Sequence, residues 1–287
     1  MARPKEQSAQ AQIVAAARKH FGQDVARVSA PGGENRSSFR LHLTDRTVIA
    51  TLRPNFRRTH LEAHVLTELG RHCSDLPECL GVVGDIMFQS DVGKRRLNVE
   101  VAQVAPAVQL DLAGEAVSAI FRIHGAARQT ELNAIMPHLG NNRDWVLNFV
   151  DAVDFLKDLG GGISDQFDRT AAYERINAPA RQFVKWDCRS GNAAIGRDDK
   201  LRWFDFEYAG LRHGAEDIAW LIGDEAWPVA PQDMVDVVID AFDPTCGILL
   251  PDYLDYLSVY LTFHAVQRLK LILSLIHISE PTRRTPI

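Results

Sequence analysis

The 287-residue sequence holds few cysteines: Cys73, Cys79, Cys188 and Cys246 stand singly, with no C-x-x-C pair among them. That excludes a disulfide scaffold and a cysteine-based zinc site. No basic-then-apolar leader opens the chain, so a reduced, cytoplasmic protein is expected. Long apolar runs are missing too. The nearest, 261–278, is interrupted by His264, Gln267, Arg268 and Lys270, which argues against a membrane span. There is no positive excess, since 32 Lys/Arg against 37 Asp/Glu leave a net charge of −5. A nucleic-acid partner or an anionic membrane surface is therefore not expected. Gly93-Lys94 is followed by Arg95 and has no Gly five residues earlier, so it is not a P-loop. Neither G-x-S-x-G nor H-E-x-x-H occurs, and the histidines are scattered singly.

What is present is an ordinary globular composition, 46% apolar and 24% charged, at a length that predicts two lobes. Charge is unevenly distributed. Residues 1–105 carry 15 Lys/Arg and 11 Asp/Glu, whereas 211–260 carry Arg212 against ten acids. A front of net +4 tolerates an anionic ligand such as a nucleotide. A back of net −9 attracts a cationic one, unless its acids are simply a solvated helical face.

Ile13, Val14, Ala17 and Phe21 recur near helical spacing and stop at Gly22, which predicts a helix over Gln7–Phe21. Strand patterns at 25–29, 38–43 and 47–52 are separated by Pro31-Gly32-Gly33 and Thr44-Asp45-Arg46. A helix over 60–70 follows, then strand-like composition at 82–89 and 97–104. Beyond Pro106, helical patterns cover 110–128, 145–159, 165–176, 217–223, 231–242 and 253–274, with short strand patterns at 182–186, 193–195 and 201–206. The expected fold class is α+β in two lobes: an antiparallel sheet with one packed helix over 1–104, and a mainly helical lobe over 105–272.

The densest polar site is Lys185-Trp186-Asp187-Cys188-Arg189-Ser190-Gly191-Asn192, followed by Trp203-Phe204-Asp205-Phe206-Glu207. Short apolar runs deliver Asp187, Asn192 and Asp205 from strand ends or loops. Phosphoryl transfer needs such a set. One carboxylate orients or deprotonates the acceptor hydroxyl; another carboxylate and an amide oxygen hold Mg²⁺ against the nucleotide phosphates. The step from Asp187 to Asn192 is D-x-x-x-x-N, and Asp205 stands where a D-F-G aspartate would.

With Phe204 to Gly210 reading F-D-F-E-Y-A-G and Glu216-Asp217-Ile218-Ala219-Trp220 resembling a D-L-A helix start, the chain resembles the aminoglycoside phosphotransferase and choline kinase-like family over roughly residues 25–270. That resemblance implies a two-lobe protein-kinase-like fold and an ATP- and Mg²⁺-dependent kinase of a small-molecule hydroxyl, with a cationic, amine-containing acceptor. It makes Asp187 the catalytic base or hydroxyl-orienting group, Asn192 and Asp205 the Mg²⁺ ligands, and Asp217 an anchor of the loop.

Ala30 to Phe39 resembles the family's glycine-rich loop, which implies that Gly32, Gly33, Asn35 and Ser37 cover the nucleotide phosphates. Two departures stand out. Val48-Ile49-Ala50-Thr51 aligns with V-A-I-K, placing Thr51 where a lysine is expected; Arg53, on the same strand face, is expected to supply the charge, paired to Glu62. Lys185 occupies the place of a histidine. These departures support an alternative, a pseudokinase that binds nucleotide or acts as a scaffold. Finally, Leu273 to Arg283 resembles the translation of a sequencing-library adapter, so 273–287 is expected to be a non-native tail.

Overall fold

The computed structural model describes residues 8–31, 37–177 and 182–279, with side chains described as far as 274. Helix α1 (Ala9–Phe21) starts at Ser8, whose hydroxyl accepts the Ala11 N–H at 3.2 Å, and stops at Gly22 in the left-handed region at φ 65°. Strands β1 (Arg27–Ser29), β2 (Ser38–His42) and β3 (Thr47–Leu52) follow, then helix α2 (Phe56–Leu69) and strands β4 (Cys79–Val83) and β5 (Ile86–Ser90). They form one antiparallel sheet in the order β1-β2-β3-β5-β4.

Alternation gives this sheet two different faces. Leu41, Val48, Ala50 and Phe88 point to one side and bury against Ile13 and Ala17 of α1. Ser38, Arg40, Ile49, Thr51 and Gln89 point to the other and line a cleft. The strand expected over 82–89 is instead the β4–β5 hairpin, because Gly84 at φ 59° lets the chain turn. The strand expected over 97–104 is also replaced. Strand β6 (Arg95–Arg96) leads into helix α3 (Leu97–Val101), whose Leu97 and Val101 lie four residues apart and are both buried.

Helix α4 (Pro106–Ala127) begins with Pro106 in its first turn, where a missing N–H costs nothing. Helices α5 (Leu132–Ile135), α6 (Arg143–Val150), α7 (Phe155–Asp158) and α8 (Arg169–Asn177) follow, so the long helix expected over 145–159 is broken by a 3₁₀ turn. Strand β7 (Gln182–Val184) leads into the polar loop, β8 (Ala193–Ile195) leaves it, and β9 (Leu201–Trp203) returns. Strand β10 (Gly210–Arg212), which the pattern did not suggest, pairs with β7. Helices α9 (Ala215–Ile222), α10 (Pro231–Ala241) and α11 (Leu250–Ser279) complete the helical half. None of the described helices is long and apolar enough to cross a membrane. The small sheet β6-β8-β9 joins the halves, pairing Arg96 with Ala194 directly below the cleft.

Candidate active site

The loop from Lys185 to Asn192 turns sharply because Trp186 and Asp187 both adopt left-handed backbone, at φ 61° and 57°. Non-glycine residues pay on the order of 1–3 kcal/mol each for such conformations, so surrounding bonds must fix them. Asp217 in the first turn of α9 does so. Its buried carboxylate accepts the N–H groups of Lys185 and Trp186, both at 2.7 Å, and pairs with His124 at 2.9 Å. Asp224 holds the far end, accepting from the Ser190 N–H at 2.7 Å and its hydroxyl at 2.5 Å.

Lys185 is also buried, near the rings of Phe206 and Trp203. Its ammonium donates to the Asp187 carbonyl at 3.2 Å. Lys185 thus contacts the loop from inside. Asp187 presents its carboxylate to Arg189, whose Nε donates at 2.7 Å, and to the Asn192 amide, which donates at 3.0 Å. Arg189 was not singled out from the sequence, although its place two residues after Asp187 was visible.

Asp205 follows β9, itself left-handed at φ 66°. It meets Arg53, which leaves the end of β3 and is ringed by three carboxylates. Nη1 donates to Glu62 at 2.5 Å, Nη2 to Asp205 at 2.9 Å, and Nε lies 3.0 Å from Glu207. Glu62 also accepts the Phe206 N–H at 2.9 Å, tying α2 to the segment after Asp205. Burial opposes the charge on Arg53, but Glu62, Asp205 and Glu207 outweigh it and hold its pKa above the ordinary value. Burial pushes Glu62 upward, with Arg53 pulling the other way. Thr51 takes no part in the cluster: it is buried, and its hydroxyl shares a 3.2 Å hydrogen bond with Ser38.

A cleft of about 450 Å³ runs between the sheet and the loops. Thr51, Arg53, Glu62, Asn192 and Asp205 all line it, as do Arg40, Gln89, Asp91 and Arg96, which the sequence reading passed over. Asp187 borders it through Asn192. Ser37 lines a smaller depression of about 340 Å³ with Arg53, Arg58, Asp205 and Glu207. Gly32, Gly33 and Asn35 lie outside the described residues. Among the described residues no three His, Cys, Asp or Glu side chains are grouped to hold a metal. One carboxylate and one amide oxygen nevertheless form a hard-oxygen pair, the donor type Mg²⁺ takes when phosphates and waters complete its shell.

The acidic stretch looks different in three dimensions. Of its ten acids, Glu216 pairs with buried Arg212 at 2.8 Å and Glu225 with Arg268 at 2.6 Å. Asp243 pairs with Arg128 and Asp255 with Arg175. Asp217 and Asp224 hold the loop. Only Asp233, Asp236, Asp240 and Asp252 remain as exposed acids without a described ion pair, on α10 and the start of α11.

No protein-family model matches the chain. No curated protein matches it either. Solved structures do. The GDP complex of aminoglycoside 2'-phosphotransferase-IIIa is 14% identical with a TM-score of 0.63, covering 96% of this chain and 94% of its own. Spectinomycin phosphotransferase APH(9)-Ia, in complex with ADP and spectinomycin, is 12% identical with a TM-score of 0.57, covering 97% and 96%. Choline kinase LicA from Streptococcus pneumoniae is 11% identical with a TM-score of 0.52, covering 92% of each chain. The chain therefore has the kinase-like fold of these small-molecule phosphotransferases: an antiparallel sheet followed by a mainly helical part, with the cleft between them.

Proposed function

We propose that this protein is a small-molecule kinase that transfers the γ-phosphate of ATP, with Mg²⁺, to a hydroxyl of a cationic, amine-containing acceptor. The observation that carries this reading is the joining of Asp187, Asn192 and Asp205 at one cleft. Asn192 donates to the Asp187 carboxylate at 3.0 Å and its carbonyl accepts the Phe204 N–H at 2.9 Å, next to Asp205. Solved structures of the same fold carry GDP, ADP, kanamycin and spectinomycin. In-line transfer needs positioning and charge neutralisation rather than a covalent nucleophile, which suits two aspartates and an asparagine.

In this reading residues 1–104 are the nucleotide-binding lobe and 105–272 the catalytic and acceptor lobe. Asp187 takes the acceptor's proton on its carboxylate, oriented by Arg189 and Asn192. Asn192 and Asp205 would hold Mg²⁺, which neutralises phosphate charge when bound. Arg53 fixes Glu62 and Asp205 at the cleft wall. Gly32, Gly33, Asn35 and Ser37 cover the phosphates, with Thr51 beside them. The kanamycin and spectinomycin held by solved structures of the same fold support a cationic acceptor, and the four unpaired thiols suit a reducing compartment such as the cytoplasm.

The test is phosphate transfer from ATP, with and without Mg²⁺, to a panel of amino alcohols and amino sugars, read by mass spectrometry of the acceptor. A metal-dependent gain of one phosphoryl group on any acceptor supports the reading. Nucleotide binding without transfer to any of them favours the pseudokinase alternative.

A further inference from the structure

Four arginines line the cleft, and three are already neutralised. Arg40 forks onto Asp91 at 2.7 and 2.9 Å, Arg189 pairs with Asp187, and Arg53 sits among Glu62, Asp205 and Glu207. Arg96 differs. It ends β6 half-buried, its guanidinium 4.4 Å from the centre of the Phe204 ring, and Nη1 donates to the Gly191 carbonyl at 2.6 Å. Among the described residues no carboxylate lies within ion-pair distance of it, and its other N–H groups have no protein acceptor.

Holding such a cation is unfavourable: burial and the nearby Arg40 pull its pKa below the ordinary value, and Asp205 and Asp91 offset this only in part. A second unmet group lines the same cleft. The Gln89 side chain is 7% exposed, and its Oε1 is buried without a donor. Leaving a buried polar atom unpaired costs about 1–3 kcal/mol, which rotation of the amide toward a ligand N–H or O–H group in the cleft would recover.

We propose that Arg96 is the cation that binds a phosphate of the nucleotide, while Gln89 accepts a hydrogen bond from its nucleoside part. Arg53, which the sequence casts in the phosphate role, stands with Arg58 among three carboxylates in a cluster whose net charge is −1 and which attracts a metal ion instead. A ligand that satisfies both unmet groups must join an anion to hydrogen-bond donors, as a nucleotide does and inorganic phosphate does not. The proposal rests on the nucleotide-binding reading above.

The experiment titrates ADP and adenosine, in EDTA, against the wild-type chain, Arg96→Gln and Arg96→Lys, with melting temperatures recorded for all three. Losing one charge-assisted contact should weaken ADP about 10- to 100-fold in Arg96→Gln while leaving adenosine within about twofold. Arg96→Lys keeps the charge but not the planar fork, so its loss for ADP should be roughly 3- to 10-fold; it replaces the glutamine variant if that one does not fold. Equal weakening of ADP and adenosine assigns Arg96 a structural role and overturns the proposal. Unchanged ADP affinity in a folded Arg96→Gln overturns it as well, with the kinase reading intact. Absence of ADP binding to the wild-type chain both in EDTA and with Mg²⁺ supplied sinks both readings together.

Discussion

The sheet half and the helical half meet at one cleft but build their sides of it by different means. On the sheet side, period-two alternation suffices: Ser38, Arg40, Ile49, Thr51 and Gln89 reach the cleft because every second residue of β2, β3 and β5 must point there. On the helical side, no strand or helix periodicity places Asp187. Its left-handed backbone is held by Asp217, 30 residues further on, and by Lys185 from within. Substitutions in the wall should therefore act locally, whereas substitutions behind the loop should reach the reacting groups from a distance.

The largest effect is expected at the loop itself. Asp187→Ala should leave nucleotide affinity nearly intact and lower the transfer rate at least ~10²-fold, because a positioned base contributes about 10²–10⁴. Equal rates in mutant and parent would remove Asp187 from the chemistry. Behind it, Asp217→Ala strips the acceptor from two buried N–H groups and from His124. A loss of about 3–5 kcal/mol in unfolding free energy is expected, the cost of breaking a buried, charge-assisted network. Thr51→Ala, equally buried but on the sheet wall, should cost about 1 kcal/mol for one lost hydroxyl bond. Denaturation curves in which the two variants match would erase the contrast between the halves.

A smaller effect separates two residues of the wall. Arg53→Ala leaves Glu62 buried without its cation and frees Asp205, so the KM for Mg²⁺·ATP should rise roughly tenfold, the size of one charge-assisted contact. Thr51→Ala should change it less than about twofold, since no charge is lost. Steady-state kinetics in which Thr51→Ala is the more harmful would show that the cluster does not govern the nucleotide end.

The same contrast explains what could be read in the sequence. The D-x-x-x-x-N spacing, the following Asp205 and the Arg53–Glu62 pair were legible because strand periodicity and short loops fix neighbours within a few residues. So was the Gly22 helix stop, where only the backbone conformation matters. Arg40, Gln89 and Arg96 were not, because facing a cleft depends on which strands pair and on β6 crossing to β8. The segment 97–104 looked like a strand because Leu97, Val99 and Val101 alternate, yet burial of Leu97 and Val101 on one helical face prevailed. The acidic excess over 211–260 suggested an acceptor-binding surface, but six of those ten acids are bound to partners within the protein, some of them as distant as Arg128 and Arg175. Charge counts register composition and are blind to pairing.

The smallest expected effect tests whether the helical half also titrates as a unit. His213 and His264 are buried beside aromatic rings, and burial lowers both pKa values to about 4. Around His213, Arg175 and Arg212 push further down and Glu216 pushes up; around His264, Arg268 and Glu225 oppose each other. Unfolded histidine titrates near 6.5, so between pH 6.5 and 4 the unfolded chain binds protons that the folded chain refuses. Stability from these groups is complete above the unfolded value and falls as the pH drops through that window. From pH 7 to pH 6 the loss is somewhat under about 1 kcal/mol per histidine, steepening below. His213→Phe keeps the stack on Tyr256, 3.9 Å between ring centres, while removing the titrating nitrogen whose Nδ1 has no partner. Its melting temperature should fall about half as steeply over that pH unit as that of the parent. A parental slope in the variant would transfer the acid sensitivity to other groups and leave the helical half no more pH-dependent than the sheet.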